Sequence, residues 1–216
     1  MIEEGENQAL LPAGLHDLLP PDAAHEVALT NALVATFGGH GYERVSPPLI
    51  EFESSLIGAG GPGMGAHVFR VLDPAGGRMM AVRADMTPQV ARIAATRLAR
   101  SPRPLRLSYG GQVLIVKGSQ MRPERQIAQA GAELIGVDSV EADVEILVLA
   151  VDALARIGIE TPTIDLNSPA LVGSILEALE ADNGRVADLR AALDRKDSAA
   201  VADLAGNTAD ILLKLI

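Results

Sequence analysis

Four polar side chains in this sequence are of types that bind ligands, and each stands beside apolar, strand-like residues. Asp85 and Thr87 follow an apolar run in the segment VRADMTPQVAR, and Gln129 and Glu133 lie within QIAQAGAELIG. A polar group that faces a core costs free energy unless it is hydrogen-bonded, so these four side chains need partners within the protein or in a ligand. The chemistry they offer is recognition of a compact polar molecule.

The first pair also has a simpler structural interpretation. An apolar strand that ends in Arg-Ala-Asp-Met-Thr-Pro presents Asp85 and Thr87 at the start of a helix, with Thr87 as N-cap and Pro88 at the first helical position. There the two side chains would satisfy free backbone N–H groups of the first turn. Taken alone, this segment favours capping over ligand binding.

The second pair lies on a strand whose two faces differ, because period-two alternation separates polar from apolar positions. The polar face contains Gln129, Gly131 and Glu133, and the apolar face contains Ala130, Ala132 and Leu134. The polar face is either the solvent face of an antiparallel strand or the floor of a pocket. In the second case, Gly131 leaves open space between the two polar groups.

Three other motifs indicate no chemistry. GAGGPG at 58–63 formally matches G-x-G-x-x-G, but Pro62 and a further glycine exclude the helix that would hold a pyrophosphate, so a flexible loop over 58–65 is expected. Five arginines form a basic cluster, which without interleaved aromatic residues favours a solvated face over nucleic-acid contact. The histidines lack ligand spacing, so no metal site is expected. The five arginines are Arg92, Arg97, Arg100, Arg103 and Arg106, and the four histidines are His16, His25, His40 and His67.

Composition narrows the class of protein. The 216 residues are 48% hydrophobic and 2% aromatic, which predicts one or two domains with a mainly aliphatic core. A formal charge of −10 argues against a surface that binds nucleic acid throughout. The N-terminal segment does not have the pattern of a signal peptide, cysteine is absent, and no apolar run reaches the ~18 residues of a membrane span. We expect a cytoplasmic protein without membrane contact.

The pattern of elements predicts an α+β fold. Helices are expected from just after the Pro20-Pro21-Asp22 break to about Phe37, from Thr87 to about Arg100, and from Asp138, with Glu141 in capping-box register, to Ile157. The predicted strands are 43–46, 49–52, 67–72, 79–84, 105–109, 112–116, 126–135 and 163–166. Short Ala- and Asp-rich helices follow. The expected domains are therefore a core over residues 1–167 and a helical segment over 168–216.

Four segments together resemble a known family. LLPAGLHDLLPPDA, GYERVSPPLIE, VRADMTPQVAR and SYGGQVLIVKGSQMRPERQIAQAGAELIG, in this order and spacing, resemble class II histidyl-tRNA synthetases. The resemblance is strongest to their paralogues, the regulatory subunits of short-form ATP phosphoribosyltransferases. It covers roughly Leu10 to Asn167, and the later helices resemble the family's insertion region.

The resemblance implies a fold and a set of site residues. The fold would be a class II synthetase-like antiparallel sheet flanked by helices, dimerising through a first motif whose proline corresponds to Pro48. In the synthetases, the ammonium group of histidine is held at the positions of Asp85, Thr87 and Gln129, and the imidazole is recognised by a glutamate at the position of Glu133. A carboxylate stabilises an ammonium group, and a buried carboxylate that accepts an N–H distinguishes imidazole from apolar rings.

The sequence departs from the synthetases at the ATP site. Their second motif carries an Arg-x-Glu that binds ATP, and the aligned positions here are Ile115 and Lys117. Without that guanidinium, the charge that develops during adenylate formation loses a bidentate partner. Arg122 and Arg125 in the following loop are retained and are candidates for contact with an anion. The family's later motifs and its anticodon-binding domain are missing, so we expect the chain to be a fragment of a longer polypeptide.

These features predict a binding protein without catalytic residues, cofactor or bound metal. The resemblance implies a regulatory subunit that binds L-histidine, joins the catalytic chain of a short-form ATP phosphoribosyltransferase, forms a dimer and does not bind tRNA. It would control the first step of histidine biosynthesis by feedback. Two alternatives stay open: an active histidyl-tRNA synthetase or histidine-adenylating ligase, and a structural fragment with no ligand.

Overall fold

The computed structural model describes residues 11–60, 65, 68–119, 121–166, 173–174, 177 and 186–213. By its internal contacts the chain divides into two compact units, Met1–Pro162 and Thr163–Ile216. None of the described helices combines the length and the hydropathy that a membrane span requires.

The first unit contains two three-stranded sheets and four described helices. The helices are α1 (Asp22–Gly39), α2 (Glu53–Gly60), α3 (Thr87–Ala95) and α4 (Val140–Arg156). The strands are β1 (Glu43–Arg44), β2 (Ile50–Phe52), β3 (Arg70–Leu72), β4 (Met79–Val82), β5 (Leu105–Leu114) and β6 (Gln126–Ile135). The large sheet, which contains the two 10-residue strands, has the order β1-β5-β6, and the small sheet has the order β2-β4-β3. Every pairing is antiparallel except that of β1 with β5. The predicted α+β fold is confirmed.

The large sheet carries a core on each face, because β6 alternates as its sequence predicts. On one face, Ala130, Ala132 and Leu134 pack with residues of α1 and α4. On the opposite face, Leu107, Tyr109 and Val113 of β5 pack with α3. The polar positions of β6 share this second face and lie beside the start of α3.

In the second unit, the described part from 186 to 213 is helical, as the sequence predicts. Its described helices are α5 (Val186–Asp194), α6 (Ser198–Ala205) and α7 (Ala209–Leu212), with a 3-10 turn at Gly206–Thr208. Their core consists of Leu189, Ala192, Leu193, Val201 and Leu212.

Four local predictions are wrong. The strand predicted over 163–166 is irregular, and the two strands predicted between 105 and 116 are one strand, because Gly110 and Gly111 continue the ladder opposite Ala130 and Gln129. The chain from Glu53 to Gly60 forms α2, although glycine-rich sequence predicted a loop from 58; residues 61–64 lie outside the described part. Helix α3 ends at Ala95 instead of Arg100.

The start of α4 also differs from its prediction. Ser139, one residue after the expected Asp138, is the N-cap, and its hydroxyl accepts a hydrogen bond from the backbone of Ala142. Ser139 fills the capping role predicted for Asp138, and the N3 position is then Ala142, so the predicted capping box of Asp138 with Glu141 does not form.

Candidate ligand-binding site

The structure brings the four sequence-predicted site residues together. Asp85 and Thr87 lie at the junction of β4 and α3, and Gln129 and Glu133 lie on the face of β6 that this junction covers. All four side chains are partly exposed. Groups that are separated by about forty residues along the chain therefore form one accessible surface.

Asp85 and Gln129 are joined directly. The Gln129 side-chain amide donates to Asp85 Oδ1 at 2.8 Å and accepts from the backbone N–H of Met86 at 2.9 Å. Asp85 Oδ1 also accepts from the backbone N–H of Thr87 at 2.9 Å. The Asp85 side chain thus accepts from the first residue of α3 and from β6 at the same time, and its predicted contact with a ligand stays a prediction.

Thr87 does not act as the N-cap that the sequence predicted. Met86 occupies that position, and no side chain caps it. The Thr87 hydroxyl instead lies 2.9 Å from the Tyr109 hydroxyl, which donates to Glu133 Oε1 at 3.0 Å. A phenol has a single proton, so Thr87 is the donor to Tyr109.

Tyr109 is the site residue that sequence reasoning missed. It is 4% exposed, and it connects Thr87 to Glu133 so that the four predicted residues belong to one hydrogen-bonded network. The sequence signal that could have identified Tyr109 is the register of the predicted hairpin. If its turn follows Lys117, Tyr109 lies opposite Gly131, on the same face as Gln129 and Glu133.

Gly131 leaves no open space, contrary to the expectation from its size. A Cβ at this position would lie 2.4 Å from the Tyr109 hydroxyl oxygen and 2.5 Å from the ring carbon that bears it. Real carbon atoms do not approach so closely, so the absent side chain is replaced by the tyrosine ring. The floor of the site is therefore closed at its centre and polar at both ends.

The site carries two carboxylates. In the part of the chain that the structure describes, neither Asp85 nor Glu133 belongs to an ion pair. Both accept hydrogen bonds from neutral donors. Two acidic groups with neutral partners favour a ligand that brings N–H donors or positive charge.

The Tyr109 hydroxyl stays protonated over the physiological range. Burial, together with the nearby carboxylate of Glu133, raises the pKa of Tyr109 from 10.0 to about 12. Since the folded pKa lies above the unfolded one, the native state retains this proton longer, and its stabilising effect is lost as the pH rises from about 10 towards 12.

Alkaline conditions are therefore expected to destabilise the chain partly through Tyr109. The free energy of unfolding in urea should fall between about pH 10 and pH 12, and it should fall less steeply for Tyr109→Phe. Tyr42, whose pKa is also raised to about 12, titrates in both proteins and is the internal reference. An equal slope for the two proteins would contradict the assigned environment of Tyr109.

Ile115 and Lys117, which align with the ATP-binding residues of the synthetases, lie near the turn of the β5–β6 hairpin. Arg122 and Arg125 belong to the same turn region. Lys117 and Arg122 are exposed, and the side chain of Ile115 is partly buried. The Arg125 guanidinium donates to the carbonyl of Ala13 at 3.0 Å and lies 4.7 Å from the centre of the Phe69 ring. Of the two arginines predicted to contact an anion, Arg122 is thus the more accessible, and both contacts stay predictions.

Pro48 lies just before β2, at the edge of the small sheet. It is exposed, and its carbonyl accepts from the Gln89 side chain at 2.8 Å. Leu49, Ile50 and Phe52 beside it are also exposed. The predicted dimer contact at Pro48 stays a prediction.

Comparison with known proteins gives consistent results. The family model described as histidyl-tRNA synthetase matches residues 14–216. Two curated relatives, each named ATP phosphoribosyltransferase regulatory subunit, come from Paramagnetospirillum magneticum (56% identical, covering 100% of this chain and 57% of the relative) and Rhodospirillum centenum (54% identical, 97% and 54%). The chain thus spans little more than half the length of these relatives.

Solved structures agree with this fold. An ATP phosphoribosyltransferase regulatory subunit/histidyl-tRNA synthetase from Bacillus halodurans is 24% identical with a TM-score of 0.81, covering 95% of this chain and 55% of that one. A histidine–tRNA ligase subunit from Alicyclobacillus acidocaldarius is 29% identical with a TM-score of 0.66, covering 86% and 53%. The first of these likenesses concerns the fold alone. Together they match the predicted class II synthetase-like arrangement.

Proposed function

Because this chain belongs to the histidyl-tRNA synthetase family, and its curated relatives are named as regulatory subunits, we propose that it regulates ATP phosphoribosyltransferase without catalysing a reaction itself. It would bind L-histidine and control the first step of histidine biosynthesis by feedback. The observation that carries this proposal is the intact network of Asp85, Thr87, Gln129 and Glu133 in a chain whose ATP-binding arginine position is Ile115.

Histidine fits the two ends of the network. Both described hydrogen bonds to Asp85 reach Oδ1, which leaves Oδ2 to accept from the ligand's ammonium group beside Thr87 and Gln129. At the other end, Tyr109 donates to Oε1 of Glu133, which leaves Oε2 to accept an imidazole N–H. Charge-assisted hydrogen bonds at both ends would select a ligand that carries both an ammonium group and a ring N–H.

Feedback requires that histidine bind two states of the assembly with different affinity. A coupling free energy of about 1–3 kcal/mol is typical of such regulation. In the proposed assembly, which is cytoplasmic, two copies of this chain associate near Pro48 and bind the short catalytic chain, and tRNA is not a partner. Residues 1–167 form the histidine-binding core, and residues 168–216 form the insertion-like segment.

The direct test is reconstitution with the short catalytic chain from the same organism. Formation of phosphoribosyl-ATP is measured with and without this chain, and with and without histidine. Activity that depends on this chain and falls with histidine would support the proposal. The same assay is run on a version extended to the length of the curated relatives, and no effect from that version would reject the proposal.

The competing ligase function is tested by pyrophosphate exchange. With ATP and histidine, the chain is expected to show no exchange above background, because Ile115 and Lys117 lack the guanidinium and carboxylate that bind ATP in the synthetases. An active histidyl-tRNA synthetase assayed in parallel is the control. Histidine-dependent exchange would instead identify a ligase, whereas an absence of histidine binding by calorimetry would favour a structural fragment.

A further inference from the structure

Arg83 is a buried charged residue beside the candidate site. None of the ligand contacts proposed above involves it. Arg83 is 7% exposed and is the only buried charged residue in the part of the chain that the structure describes. Burial lowers the pKa of its guanidinium. A buried charge is costly unless its hydrogen bonds are specific, so its partners indicate its role.

The guanidinium joins two segments that flank the site. Arg83 Nε donates to the carbonyl of Gln112 on β5 at 2.8 Å, and Nη1 donates to the carbonyl of Pro47 at 2.9 Å. The Arg83 backbone makes a parallel pair of contacts, from its N–H to the Leu49 carbonyl at 3.0 Å and from the Leu114 N–H to its carbonyl at 2.9 Å. Backbone and side chain therefore tie the end of β4 to both sheets.

Gly111 makes this arrangement sterically feasible. A Cβ at Gly111 would lie 2.6 Å from Arg83 Nη2, so the guanidinium packs directly on the backbone of β5. Gly111 is paired in register with Gln129. Arg83 thus contacts the hairpin at the residue pair that includes Gln129. The Gln129 side chain donates to Asp85, which follows Arg83 by two residues in the chain.

From these contacts we propose that Arg83 is a positioning residue: it fixes the turn that carries Asp85 and Thr87 against the β5–β6 hairpin. It thereby determines the distance between Asp85 and Gln129, which form the ammonium end of the site. The part of this inference that concerns histidine rests on the proposed function, whereas the part that concerns the turn does not. Lysine cannot replace arginine, because a single ammonium group cannot reach both carbonyl oxygens in the fork geometry.

The turn is tested without ligand by amide hydrogen exchange in Arg83→Lys. The amides of Met86 and Thr87, which donate to Gln129 and Asp85, are expected to exchange at least tenfold faster than in the wild type, because their acceptors are no longer held in place. Amides of the hairpin far from Gly111, such as those at Leu105–Leu107, should keep their rates. Equal acceleration at every amide would indicate general destabilisation and overturn the proposal, as would unchanged rates at Met86 and Thr87.

The ligand preference is tested by titration with L-histidine and with imidazolepropionate, which is histidine without its ammonium group. Arg83→Lys should lower histidine affinity by roughly tenfold or more, the loss expected for a weakened hydrogen bond to a charged group, and so reduce the preference for histidine. An unchanged preference would overturn the positioning role. Absence of histidine binding by the wild type would reject the proposed function and the ligand part of this inference, while the exchange result still decides the role in the turn.

Two further variants test whether the effects are specific to the contact between Arg83 and β5. Arg106→Lys, also on β5, changes a guanidinium that pairs with Glu145, and it should leave both readouts unchanged. Gly111→Ala keeps Arg83 but displaces its guanidinium, and it is the test variant if Arg83→Lys does not fold. It should accelerate exchange at Met86 and Thr87 in the same way, and failure to do so would overturn the proposal.

Discussion

Replacing Glu133 with alanine is expected to abolish the histidine sensitivity of the reconstituted ATP phosphoribosyltransferase while leaving its assembly intact. Glu133 lies on the polar face of β6, and its Oε1 already accepts from Tyr109. The remaining oxygen is the proposed acceptor for the imidazole N–H. Loss of a hydrogen bond to a charged group costs about 1.5–3 kcal/mol, which corresponds to roughly a 10- to 150-fold loss of histidine affinity.

The matched control for this prediction is Glu133→Gln. It keeps the shape of the side chain and an acceptor oxygen but removes the charge, so histidine inhibition should be weakened less than by alanine. Inhibition of phosphoribosyl-ATP formation by histidine is the first measurement, and sedimentation of the mixed chains reports assembly. If Glu133→Ala prevents assembly but histidine still inhibits whatever activity remains, the assignment of Glu133 as a ligand-binding residue is wrong.

How far the sequence predicts the site depends on the range of the interactions involved. Alternation along QIAQAGAELIG placed Gln129 and Glu133 on one face, because strand geometry is local and its period is two. The alignment of these residues with Asp85 and Thr87 came from family resemblance, since a contact across some forty residues has no local signal. Tyr109 escaped notice for the same reason: its role depends on its register opposite Gly131.

Errors in the fold have a different origin, in which tertiary contacts override local preference. Glycines at 58 and 60 predicted a loop, yet Leu56 of α2 is 1% exposed and packs with Val68 and Ala81. Burial of these apolar side chains offsets the weak helix propensity of glycine. In contrast, residues 163–166 have strand-like composition but no partner strand within the described part of their unit, so composition alone did not produce a strand.

The second large effect is expected from Gly131→Ala, in which a single methyl group destabilises the chain. The new Cβ would meet the Tyr109 hydroxyl and ring at 2.4 and 2.5 Å, and the ring cannot retreat easily because Tyr109 is 4% exposed among packed residues. Overpacking of this kind costs about 1–3 kcal/mol. The displaced ring would also break the connection between Thr87 and Glu133, so histidine affinity should fall together with stability.

The control for this effect is Gly38→Ala in α1, where a Cβ would meet no atom within 4 Å. There alanine should leave the free energy of unfolding unchanged or raise it by up to about 1 kcal/mol, because alanine is the better helix former. Both variants are compared with the wild type by urea denaturation, with Gly131→Ala/Tyr109→Phe as a third. Because the new Cβ would also lie 2.5 Å from the ring carbon that bears the hydroxyl, removing the hydroxyl should recover at most part of the lost stability. Equal stability of Gly131→Ala and the wild type would show that β6 adapts, and Tyr109 would then not be fixed by the glycine opposite it.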